Sequence, residues 1–255
     1  MLVRAMRWAA AVVLVALVLP GVPQARAAVS LQTIYIRATR VQYEVVLPDH
    51  YDPVRAYPAV LGFSGGPQTL ETVDGLVDRY MREEAQRRGY IVVVPVAPDG
   101  QLFFQGGERI FPQFLQRILA QYHIEGGKFH AAGVSNGGIS AFHIASLYPQ
   151  YFLSITAFPG FLPKPTAARI AAISSMCIHM FVGELDPMGW QSAMLAETRV
   201  FQARGMSATY TVEKGQPHRL ESLAGAHAAR LFDLFDQARH GCSAAAFAKG
   251  RAAAP

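Results

Sequence analysis

The sequence predicts one α/β domain, a mostly parallel central sheet flanked by helices with little chain left over for a lid. Three observations point there. Strand-like and helix-like stretches alternate along the chain. Several strand candidates are apolar almost without interruption, above all Tyr90 to Val96 (YIVVVPV), as expected of strands covered on both faces. The 255 residues, 51% of them apolar, suffice for one sizeable core and fall short of a comfortable second domain.

The elements follow in order. Thr33 to Leu47, rich in β-branched and aromatic residues, reads as an opening antiparallel pair, and Pro58 to Phe63 as a short buried strand. Val73 to Arg88 has helical spacing and stops at Gly89. After the Tyr90–Val96 strand comes a loop, Ala97 to Glu108, and a helix from Phe111 to Tyr122. Lys128 to Val134 is a strand, Gly138 to Tyr148 a helix, and Phe152 to Phe158 a strand. A proline-rich excursion, Pro159 to Pro165, leads into a short helix ending near Ile173. Cys177 to Val182, Gln191 to Arg204 and Ala208 to Val212 continue as strand, helix and strand, and a last helix covers Leu220 to Ala238.

Charge excludes one class of partner. Three of the 23 basic residues, Arg4, Arg7 and Arg26, fall in the first 27 positions, which leaves 20 basic against 18 acidic residues and no basic run. There is no electrostatic footprint for nucleic acid. Those first 27 residues read as an export signal: a positive start, a twelve-residue apolar stretch (Trp8 to Leu19) too short to span a bilayer comfortably, helix breakers, and Ala25-Arg26-Ala27 as cleavage site. The expectation is a secreted or periplasmic protein without a stable membrane anchor after cleavage, one domain over 28–242, and a disordered Ala-rich tail over 243–255. In an oxidising compartment Cys177 and Cys242 either pair or remain separate thiols; their spacing is not that of metal ligands.

Gly-x-Ser-x-Gly occurs twice, as Gly62-Phe-Ser64-Gly65-Gly66 and Gly133-Val-Ser135-Asn136-Gly137. The chemistry needs a strand before the serine and a helix straight after it, so that the turn exposes the hydroxyl and the helix N-terminus faces developing negative charge. Ser135 meets both conditions. Ser64 is followed by Pro67 and a polar stretch, so it fails as nucleophile. Its loop instead suits one donor of an oxyanion hole, assigned to Gly66 with Gly65 as alternative, and Asn136, next to the nucleophile, supplies the second.

A serine hydroxyl needs a base, and the base needs a carboxylate, in the chain order Ser, Asp/Glu, His. Only Glu184 and Asp186 follow directly on a buried strand after Ser135; Asp186, at the far end of the turn before Pro187, is the better placed, with Glu184 in reserve. Of eight histidines only His218, between the final strand and the final helix, satisfies chain order and strand-end position together. Phe103, Phe104, Phe158, Phe161 and Trp190 lie on loops at strand ends, where they could line a pocket for an acyl or aromatic group.

Phe63-Ser-Gly-Gly, Gly133-Val-Ser-Asn-Gly-Gly, Gly183-Glu-Leu-Asp-Pro and Gly215-Gln-Pro-His together resemble the α/β-hydrolase superfamily over nearly the whole length after the leader. The resemblance is greatest to small secreted esterases of the esterase D, feruloyl-esterase and polyhydroxybutyrate-depolymerase-like groups. One departure is Ser64, where many relatives carry His before the glycine. The resemblance implies a carboxylic-ester hydrolase working through an acyl-enzyme on a small-molecule or polymer-borne ester, with no metal and no organic cofactor. A peptidase or acyltransferase of the same fold, or a catalytically silent binding protein, are the alternatives.

Overall fold

The computed structural model describes residues 29–242; the leader and the Ala-rich tail of the sequence reading lie outside the described residues. Eight strands form one sheet: β1 Val29–Ile36, β2 Thr39–Val46, β3 Tyr57–Phe63, β4 Ile91–Pro95, β5 Ile124–Gly133, β6 Phe152–Ala157, β7 Cys177–Gly183 and β8 Ala208–Glu213. Their spatial order is β1-β2-β4-β3-β5-β6-β7-β8. The opening pair is antiparallel, as is β2 on β4, and every other pairing is parallel. The helices are α1 Leu70–Leu76, α2 Arg82–Arg88, α3 Gln113–Gln121, α4 Asn136–Leu147, α5 Ala167–Ala172, α6 Trp190–Ala203 and α7 Ala229–Arg239.

Period-two alternation decides which face each strand residue serves. Ala59, Leu61 and Phe63 of β3, with Ile91 and Val93 of β4, meet α3, α4, α5 and α6 through Phe114, Phe142, Ile170 and Phe201. Val60, Val92 and Val94 point to the other face, against Val73, Leu76, Ala85, Phe232 and Phe235 of α1, α2 and α7. Burying each such large side chain contributes about 1.5–3 kcal/mol, which is what holds helices of modest intrinsic propensity on the sheet. Central helix α4 is covered nearly all round, so its sequence carries no polar face.

Two expectations need correction. The helix read as Val73–Arg88 begins at Leu70 and passes through a π turn, Val77–Met81, between α1 and α2. The last helix does not start at Leu220. Short 3₁₀ turns cover Glu221–Leu223 and Gly225–Ala228, with Gly225 at φ 55° turning the chain before α7 begins.

Cys177 and Cys242 are joined in a disulfide, with Cα atoms 5.1 Å apart and a sequence separation of 65. Closing a loop of that length contributes about 4 kcal/mol in the chain-entropy description. No helix among the described residues is long and apolar enough to cross a membrane.

Candidate active site

β3 and β5 are neighbours, with Phe63 beside Gly133, so the two Gly-x-Ser-x-Gly segments leave the sheet side by side at its carboxyl edge. At the end of β5 the chain turns into α4 within two residues, and Ser135 takes φ 57°, ψ −120° to do so. A non-glycine residue held there is strained, and the surroundings must impose the geometry. They do. The Ser135 N–H donates to Pro159 O at 2.8 Å, and its carbonyl accepts the first helical bond from Ile139 N–H at 3.1 Å. A Cβ on Gly133 would run into the backbone of Gly137, and one on Gly137 into the carbonyl of Phe63. Both glycines are therefore required by close approach.

The Ser135 hydroxyl lies 2.9 Å from Nε2 of His218, whose Nδ1 is 2.8 Å from Oδ2 of Asp186. A carboxylate only accepts, so Nδ1 carries the proton and Nε2 offers its lone pair to the serine O–H. Oδ1 of Asp186 accepts the Met188 N–H at 2.8 Å, which fixes the carboxylate in the turn it occupies. The Asp186 side chain is wholly buried while that of His218 is 26% exposed, so only the imidazole and hydroxyl end of the relay meets solvent.

Two loops bring acid and imidazole together. Glu184 N–H donates to Glu213 O at 2.9 Å and Leu185 N–H to Gln216 O at 2.8 Å, which zips the turn after β7 to the loop after β8. A side chain on Gly183 would strike the carbonyls of Gln216 and Pro217. Glu184, the reserve acid, is turned away: its Oε2 accepts the Gly215 N–H at 2.8 Å. Trp190 packs edge-to-face on His218, ring centres 5.2 Å apart, and limits how the imidazole tilts.

Ser64 is completely buried and its hydroxyl is 3.1 Å from that of Thr72. Gly66 stands at φ 57°, where glycine is favoured, and its carbonyl accepts from Asn136 Nδ2 at 2.9 Å. The backbone N–H groups of Gly66 and Asn136 donate to no acceptor among the described residues. Gly65 lies against the elbow: a Cβ there would sit 3.5 Å from that of Ser135.

Sequence reasoning missed Gln68. Fully buried, at φ 55°, it donates from Nε2 to Ser64 O and Ser140 Oγ at 3.1 and 2.9 Å, and accepts the Phe103 N–H at 3.1 Å. One amide thus ties the loop after β3 to α4 and to the loop after β4. No motif marks it; a lone polar residue in a loop gives no advance signal. Pro159, read only as the start of an excursion, braces the elbow.

The expected aromatic pocket needs correction. Phe103 and Phe158 are fully buried core residues, packed on Phe63 and Tyr80 respectively, because the backbone turns their rings inward under the loops. Phe104 is partly buried beside Phe103. Phe161 and Trp190 do pair at the site, T-shaped at 5.1 Å. Among the described residues no cluster of three or more His, Cys, Asp or Glu is placed to hold a metal ion.

No protein-family profile matches the chain. It is similar to dipeptidyl-peptidase 5 of Porphyromonas gingivalis, 29% identical over 128 residues, a match covering 46% of this chain and 19% of that protein's length. Its structure is similar to Thermogutta terrifontis esterase 2 phosphonylated by cyclosarin (TM-score 0.63, 13% identity, 83% of this chain and 94% of that one). It is also similar to a feruloyl esterase module from Clostridium thermocellum complexed with sinapinate (TM-score 0.62, 16% identity, 77% and 83%). A third likeness is to an S-formylglutathione hydrolase from Agrobacterium tumefaciens (TM-score 0.57, 16% identity, 84% and 95%). The chain has the α/β-hydrolase fold.

Proposed function

We propose that this chain is an exported serine hydrolase that cleaves carboxylic esters in two acyl-transfer steps. The observation that carries the reading is the relay at the carboxyl edge of the sheet, Ser135 Oγ to His218 Nε2 at 2.9 Å and His218 Nδ1 to Asp186 at 2.8 Å. As the Ser135 hydroxyl attacks the ester carbonyl, its proton passes to Nε2, and buried Asp186 stabilises the imidazolium. The Gly66 and Asn136 N–H groups receive the oxyanion, with the N-terminus of twelve-residue α4 behind the second. His218 then returns the proton to the departing alcohol, and a water attacks the acyl-enzyme by the same route.

Esterases among the similar folds support the ester. The Cys177–Cys242 disulfide and the leader-like first 27 residues support a secreted or periplasmic site of action. The likeness to a dipeptidyl-peptidase favours a second reading, amide cleavage by the same relay. Purified protein is offered short-chain p-nitrophenyl esters and the matching p-nitroanilides, and is labelled with a fluorophosphonate. Ester turnover with labelling at Ser135 upholds the proposal, anilide turnover shifts it to the peptidase, and neither labelling nor turnover overturns both.

A further inference from the structure

His218 sits in a loop that leaves β8 at Glu213 and runs into the 3₁₀ turn holding Ser222. A loop without sheet or helix of its own takes its position from what holds its two ends. Leu220 and Leu223, both fully buried, seat the outgoing end by packing. What fixes that end against the incoming one is polar. Gln216 Oε1 accepts the Ser222 N–H at 3.2 Å, and one guanidinium spans both ends. Arg230, the second residue of α7, donates from Nη2 and Nη1 to the two carboxylate oxygens of Glu213 at 2.8 and 3.0 Å. Its Nη1 also donates to Ser222 O at 3.2 Å.

The arrangement suits arginine alone: a planar fork matches a carboxylate with two parallel bonds and keeps an N–H for a third acceptor. The Glu213 side chain is only 9% exposed. Burial by itself raises its carboxyl, but the Arg230 hydrogen bonds and charge outweigh that and hold it below its ordinary value. Without Arg230 a buried carboxylate stands unpaired, and it regains water only by shifting the backbone that carries it. That backbone serves both halves of the relay. Glu213 O accepts the Glu184 N–H of the Asp186 turn and the Gln216 N–H of the His218 loop. The guanidinium also lies over the Phe181 ring of β7, 5.7 Å from its centre, so β7, β8 and the loop together locate it.

We propose that Arg230 is a positioning residue: by clamping both ends of the loop it sets where Nε2 of His218 stands relative to Ser135. The proposal rests on the acyl-transfer reading and extends it to a residue that touches none of the reacting atoms. The test compares p-nitrophenyl ester hydrolysis by Arg230→Ala, Arg230→Lys and Arg239→Ala. Arg239 lies on the same helix and pairs with Glu125 and Asp236, not with the loop, so its loss reports what a weakened α7 costs. Arg230→Ala is expected to lose about 10²-fold in kcat with little change in KM, the effect of a slightly misplaced base. Arg230→Lys restores the charge without the fork and recovers part of that loss. The Arg230 side chain is 45% exposed, so guanidinium ion at a low, non-denaturing concentration reaches the gap in Arg230→Ala and raises its kcat. Arg239→Ala stays near wild type. Equal losses in Arg230→Ala and Arg239→Ala, or a loss carried by KM alone, overturn the proposal. A crystal structure of Arg230→Ala separates this from failure of the catalytic reading. His218 Nε2 out of hydrogen-bond reach of Ser135 upholds the positioning role even if no ester is turned over. An imidazole still in place overturns it.

Discussion

The two Gly-x-Ser-x-Gly segments start from neighbouring strands at the same edge of the sheet, and only one presents its serine. After β5 the helix begins at once, the serine is forced to φ 57° and its hydroxyl reaches His218. After β3 the chain continues through Pro67 and Gln68, the serine turns inward to Thr72, and Gly65 lies against the elbow. The spacing alone makes no nucleophile. What differs is whether a helix follows immediately, because that decides which way the serine's Cα–Cβ bond points.

The sharpest way to break this contrast is to remove each hydroxyl in turn. Ser135→Ala is expected to lower kcat on a p-nitrophenyl ester by about a millionfold. Ser64→Ala loses one hydroxyl contact, worth about 1 kcal/mol of stability, and stays within a few-fold of wild type in rate. Reversal of that order in steady-state kinetics would mean the wrong serine had been chosen.

Next in size is the service the first segment does for the second. Gly66→Ala places a side chain at φ 57° and shifts the N–H proposed to receive the oxyanion, so kcat is expected to fall about 10²–10³-fold with little change in KM. A purely raised KM would assign Gly66 to ground-state binding instead. Gln68→Ala sharpens the comparison from the side that joins the segments: it strands the Phe103 N–H and removes donors from Ser64 O and Ser140. A loss of about 3 kcal/mol in urea unfolding is expected, and a loss under 1 kcal/mol would show that the loops hold without the tie.

Acid limits where all these assays are read. Burial holds His130 down at about 3, and His143 and His179 at about 4, against 6.5 for an unburied imidazole. Below 6.5 these imidazoles take up protons in the unfolded chain that they refuse in the folded one, so their contribution to stability is complete above that pH and drains away as pH falls toward 4. Chemical denaturation from pH 8 to 4 should show this slope, and a flat profile would remove the argument. Rate losses in acid then mix unfolding with chemistry.

Much of this was legible in advance, for identifiable reasons. The central strands announced themselves through β-branched or continuous apolar runs, since sheet positions covered on both faces tolerate little else. That Ser135, Asp186 and His218 come together was readable because each sits where a strand ends, and chain order set aside their rivals. Loop conformation was not readable. Phe103 and Phe158 look like pocket residues until the backbone is seen to turn them inward, and Gln68 acquires its role only when three distant segments converge on it. The start of α7 was misplaced because the helical pattern runs through Gly225, and only its φ of 55° shows the break.

The disulfide has a topological consequence. Cys177 opens β7 and Cys242 lies past α7, so the covalent ring they close contains both Asp186 and His218 but not Ser135. The turn after β7 exposes Leu185 and Met188 at 63% and 58%, which makes it the natural place for a protease to cut. A single nick after Met188, beyond Asp186, opens the ring to a linear pair of arms still joined through sulfur. On a non-reducing gel the nicked protein therefore runs as one chain, with acid and imidazole on opposite sides of the cut yet unable to diffuse apart, and thiol reductant releases the distal fragment.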